Sequence, residues 1–160
     1  MIKRKLFGAA ALSIVILLSG PSAANDGSRL QIRHDFIQVL ASGEALLAAQ
    51  SDFNAAKAAG DRISMEHAAF DMLMASAAAA FWTAMLDDVV TERNTTDEID
   101  RKVSELRALA GGVLQGLAPI VVTGNLEGLS TRLDESAETI TRFNRLTRGV
   151  SALPGLRDLI

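Results

Sequence analysis

Cysteine and tyrosine are both absent from the 160 residues, and tryptophan occurs once, at Trp82. Without cysteine the chain forms no disulfide, carries no lipid on an N-terminal thiol, attaches no haem through a C-x-x-C-H motif and runs no thiol chemistry. One tryptophan and six phenylalanines give no aromatic platform for stacking sugars or single-stranded nucleic acid. Proline is equally scarce, and Pro21, Pro119 and Pro154 all fall at segment boundaries. There is no glycine-rich phosphate loop and no G-x-S-x-G nucleophile turn.

The first 24 residues carry an address. Lys3, Arg4 and Lys5 precede an apolar run of 14 residues, Leu6 to Ser19, which Gly20 and Pro21 break before Ser22-Ala23-Ala24. This pattern predicts a bacterial secretory signal peptide, cleaved after Ala24. The run is short of the roughly 20 residues that a membrane-spanning helix needs. The expected product is periplasmic or secreted, without a membrane span or lipid tether. If retained, the same segment would anchor the protein to the inner membrane. Of the 16 Lys and Arg residues three leave with it, so 13 face 19 Asp and Glu, a net charge of −6. An acidic surface disfavours nucleic acid and anionic membrane as partners. Residues 25–160 are enough for one domain with a core of its own.

Helical periodicity dominates those residues. The first segment, 28–59, places Ile32, Phe36, Val39, Leu46 and Phe53 on one stripe, with Ser28 and Gln31 as a capping box and Gly60-Asp61 as a stop and new cap. The second, 62–93, carries Ile63, Phe70, Met74, Ala77, Phe81, Met85 and Val89 on one apolar stripe, the expected core side. Thr95 with Glu98 opens the third, 96–118, whose seam is Ile99, Val103, Leu106, Ala110, Val113 and Leu117. Pro119 is expected to end it, leaving β-branched Ile120, Val121 and Val122 as an extended connection. Asn125 caps the fourth, 125–153, with Leu126, Leu129, Leu133, Ser136, Ile140, Phe143, Thr147 and Val150 on its seam. Short turns between long amphipathic segments predict an all-α fold, an up-down-up-down antiparallel four-helix bundle.

Counting outward from the turns brings small residues of all four helices to one level: Gly43, Ala77, Gly112 and Ser136. Either the helices draw together there, or large neighbours such as Phe81 hold them apart around an apolar pocket for a small molecule or cofactor. At one end of the bundle the acidic group Asp87, Asp88, Glu92, Asp97, Glu98 and Asp100 faces Arg142, Arg145 and Arg148, as structural ion pairs or as a binding surface for a cation or basic partner.

Ligand chemistry finds little footing. His34 lies off its apolar stripe, whereas His67 lies on one, and the two are about 28 Å apart along the axis. No Glu-x-x-His pair of the di-iron bundles is present. Neither metal nor cofactor is expected, and adjacent carboxylates such as Asp87 and Asp88 diverge on a helix, so no catalytic residue is assigned. Two apolar stretches, Ile120-Val121-Val122 and the tail with Leu156, Leu159 and Ile160, either fold back over the bundle ends or contact a partner. By elimination the sequence points to a non-enzymatic exported bundle that binds another envelope or secreted protein as an accessory, adaptor, inhibitor or immunity-type factor. The alternative is a small-molecule-binding bundle.

Overall fold

A computed structural model describes residues 21–93, 95–153 and 156. Among these residues the chain is all-helical: α1 (Pro21–Ala59), α2 (Arg62–Glu92), α3 (Asp97–Val122) and α4 (Leu126–Ser151), with no strand, an arrangement compatible with a four-helix bundle. Most of the signal-peptide segment, residues 1–20, lies outside the described residues, as do Leu159 and Ile160.

Local chemistry sets the turns. Gly60 and Gly124 both adopt φ +68°, the left-handed conformation in which a side chain would be strained. Asp61 then caps α2 by accepting from Ser64 N at 3.2 Å and Ser64 Oγ at 2.6 Å, and Asn125 Oδ1 caps α4 through Gly128 N at 2.9 Å. The cap of α3 is Thr96, which accepts from Ile99 N, so the expected Thr95–Glu98 box is displaced by one residue. Thr95 instead donates its hydroxyl proton to Asp100.

Two boundaries differ from expectation. Helix α1 begins at Pro21 instead of Ser28. Proline suits the first turn of a helix, and the Ser22-Ala23-Ala24 stretch after it contains no breaker. Helix α3 runs through Pro119 to Val122, so Ile120, Val121 and Val122 are helical and not extended. The proline forfeits one backbone bond, but Ile120 and Val121 pack with fully buried Leu117 against a core cluster that includes Leu129. The final turn is closed by Thr123, whose N–H and hydroxyl donate to Pro119 O at 3.2 and 2.9 Å. Burial of this turn outweighs the helix-breaking tendency of proline.

Helices adjacent in sequence pack on one another, and α1 also meets α4. Contacts run in opposite senses along the pairs: Gly43 meets Asn144 and Lys57 meets Ser130, while Glu105 meets Arg142 and Gly116 meets Arg132. The core divides into two clusters. One, the upper core, gathers Ile32, Phe36, Val39, Leu86, Val103, Leu106, Phe143 and Leu156; the other, the lower core, gathers Leu46, Phe53, Met72, Val113, Leu117, Leu129 and Ile140. Buried Ser42 and Ser76 lie between them and return their hydroxyl protons to Gln38 O and Leu73 O of their own helices.

The expected inner stripes of α1 and α3 are buried, as is that of α4 apart from half-buried Leu126 and Ser136, but that of α2 is inverted over most of its length, with only Ala77, Met85 and Val89 half-buried. Its inner face is Ala68, Ala69, Met72, Ala75, Ser76, Ala79, Thr83, Leu86 and Val90. Ile63, Phe70, Met74 and Phe81 point outward. The large side chains Phe36, Leu46 and Phe53 project into the core from α1, and small residues opposite them let the two helices close to full packing density.

Candidate interaction surface

At 100° per residue, Ile63, Phe70, Met74 and Phe81 lie within about 20° of the direction opposite Met72, so α2 carries a large-residue stripe directly away from the core. Their exposures are 68, 57, 54 and 56 %. With roughly 200 Å² available per large side chain, the four present roughly 450 Å² of apolar surface. Charge returns only past Met85, at Asp88 and Glu92. Ala77 lies within the stripe and keeps its middle low.

The stripe continues toward α1 through aromatic contacts. Phe81 meets Trp82 edge-on, with ring centroids 4.9 Å apart, and Trp82 meets His34 edge-on at 5.2 Å. His34 is flanked on α1 by exposed Leu30 and Ile37. Beneath it Asp35 is completely buried. Gln31 Nε2 donates to both of its carboxylate oxygens at 2.8 and 2.9 Å, and His34 Nδ1 stands 3.0 Å from Oδ1. A buried carboxylate needs such partners, and the consequence is a fixed His34 ring against Trp82. The buried role of Asp35 was missed in the sequence, although its place three residues after Ile32 and four before Val39 marks the core stripe.

The waist residues do not line one space. Gly43 is filled from α4: a Cβ there would stand 2.6 Å from Asn144 Oδ1 and 3.2 Å from Phe143 Cε1. Gly112 is exposed with open space around it, and Phe81 faces outward. Ala77 and Ser136 are half-buried. Of the second expected surface, Ile120 and Val121 are half-buried, Val122 is exposed, and Leu156 is folded fully onto the upper core.

The acidic and basic groups also pair differently from the expected arrangement. Arg107 of α3 takes Asp87 at 3.0 Å and Asp88 at 3.4 Å, and Ser104 donates to Asp87 at 2.8 Å, because α3 is the neighbour level with that turn of α2. Arg142 pairs with Glu105. Arg145 and Arg148 border an α1–α4 cleft of about 330 Å³ with Leu47, Thr141 and Asn144.

Another cleft, of about 470 Å³, lies beside the first turn between Asp52, Asp61, Asp71, Ser64 and His67. The hydroxyl and N–H of Ser64 hold the Asp61 carboxyl below its ordinary value, helped by the nearby His67. His67 is exposed, not on a buried stripe, since it follows the inverted phase of α2. Among the described residues no three acidic or histidine side chains converge as a metal site.

No family model matches the chain, and no curated protein matches it. Length and composition alone would let α2 and α3 cross a membrane, a test that the core helices of a folded bundle also pass.

Proposed function

We propose that this chain is a non-enzymatic, up-down-up-down antiparallel bundle of residues 25–160. The leader of residues 1–24 exports it to the periplasm or the medium, where it acts by binding another protein as an accessory, adaptor, inhibitor or immunity-type factor. The observation that carries this reading is the outward stripe of α2. Four large apolar side chains directly opposite the core leave more than half of their surface in water and contribute little to the isolated fold, and contiguous exposed patches of this size are often functional. The short connections and opposed contacts support the topology, and the leader pattern supports the export.

The alternative of a small-molecule site at the waist has no support from the placement of its residues, because Gly112 and Phe81 face away from the other helices. The test is capture from the native envelope with the full chain as bait, beside a Phe70→Glu, Phe81→Glu variant of unchanged helicity. A partner held by the wild type and lost by the variant supports the reading. An identical captured set contradicts it.

A further inference from the structure

We propose that the α2 face docks a second copy of this chain, α2 against α2, antiparallel about a two-fold axis level with Met72. This rests on the reading of that face as a binding surface and names its occupant. The first ground is the match of sizes along the stripe. In that register Ile63 meets Phe81 of the other copy, His67 meets Ala77, and Phe70 meets Met74. Any stripe of alternating three- and four-residue steps has mirror-related spacing; what is particular here is that no two phenylalanines collide and that small Ala77 receives the histidine.

Area and charge agree. With the exposed parts of His67, Leu73 and Ala77 added, the face offers roughly 600 Å² per copy, the lower end of the ~600–1,000 Å² per partner of a standard interface. Arg62 is exposed at the start of α2, where it pairs with Glu66 of its own helix at 3.0 Å, a surface ion pair weak enough to exchange partners. Its side chain leans toward the helix N-terminus, which brings it toward Asp88 of the other copy twice over. Glu66 falls beside the alanines Ala77 and Ala80, where it meets no like charge. The one unfavourable approach is that of Asp71 to its own copy near the axis, so Asp71→Asn tightens the pair. A lipid surface fits the face less well, since anionic headgroups favour flanking Lys and Arg and here Glu66 and Asp71 flank the stripe.

The test uses the full chain, expressed with its own N-terminal segment and purified as the cell leaves it. Sedimentation at about 100 µM, where an interface of this size with micromolar affinity is formed, gives twice the chain mass. A Phe70→Glu, Met74→Glu variant and a Phe70→Lys, Met74→Lys variant each sediment as monomers with unchanged helical circular dichroism, and mixing them restores the dimer. Because the chain has no cysteine of its own, a His67→Cys, Ala77→Cys variant crosslinks between copies on oxidation. Ala77→Cys alone does not, its two copies lying about 15 Å apart along the axis.

A monomeric wild type, a dimer that survives in both charged variants, or a mixture that restores nothing overturns the proposal. So does a monomer that binds phosphatidylethanolamine–phosphatidylglycerol vesicles through the same residues. If the wild type is monomeric yet the glutamate variant loses an envelope protein that it captures, only the identity of the occupant falls. If the variant loses nothing, the binding reading falls with it.

Discussion

Truncating two phenylalanines, one in the core on α1 and one on the outer side of α2, separates the observed phase of α2 from the one its large residues suggest. Phe53 is completely buried in the lower core. Removing its ring leaves a cavity as well as lost transfer energy, so Phe53→Ala costs about 3–5 kcal/mol. Phe70 is 57 % exposed. Less than half of its surface is out of water, which sets its loss near 1 kcal/mol against the ~3 kcal/mol of a fully buried ring. No cavity forms on an outer face, and alanine recovers about 0.5 kcal/mol in helix propensity. Phe70→Ala is therefore expected to cost less than about 1 kcal/mol.

Urea unfolding followed by circular dichroism measures both changes, at protein concentrations low enough that the midpoint no longer depends on concentration. That condition removes any contribution from self-association. A loss of 3 kcal/mol or more for Phe70→Ala would place that ring in the core and refute the orientation of α2.

The remaining expectations concern the waist and the caps. Gly43→Ala forces a Cβ against Asn144 and Phe143 and lowers stability by about 1–2 kcal/mol after the helical gain. Gly112→Ala, in open space, raises it by about 0.5–1 kcal/mol; thermal unfolding of the two variants shows shifts of opposite sign, and a loss at both would restore a shared small-residue level. Asp61, whose carboxyl titrates below its ordinary 3.8, stabilises the folded state above that value and loses the contribution as pH falls through its depressed folded value. The stability gap between wild type and Asp61→Ala, followed by urea titration from pH 7 to pH 3, accordingly shrinks on acidification; a gap independent of pH would show that the carboxylate form does not matter.

Helices α3 and α4 were legible because their large apolar residues occupy one face and polar residues the other, and α1 because only Leu30 and Ile37 depart from its stripe of larger residues. Ile32 to Phe53, Ile99 to Leu117 and Leu129 to Val150 each leave a single choice of inner side. Helix α2 offered two, since alanines cover the sector opposite its large residues, and side-chain size alone selects the wrong one. The decisive information is on α1, where Phe36, Leu46 and Phe53 fill the space that α2 would otherwise need. Pro119 misled for a related reason: local dihedral preference ends a helix there, while burial of Leu117 with Ile120 and Val121 holds its last turn. The outward apolar face of α2 was therefore visible in the sequence as a list of residues and assigned to the core.

Peroxide oxidation of the methionines tests the orientation of α2 most directly, because Met72 and Met74 are two residues apart and differ only in the side they face. Met72 is fully buried and Met74 is 54 % exposed. In dilute protein, peptide mass spectrometry over time is expected to show Met74 converting to the sulfoxide at close to the rate of an exposed methionine while Met72 stays reduced until the chain unfolds. Faster oxidation at Met72 than at Met74 would turn the helix around and remove the outward apolar face.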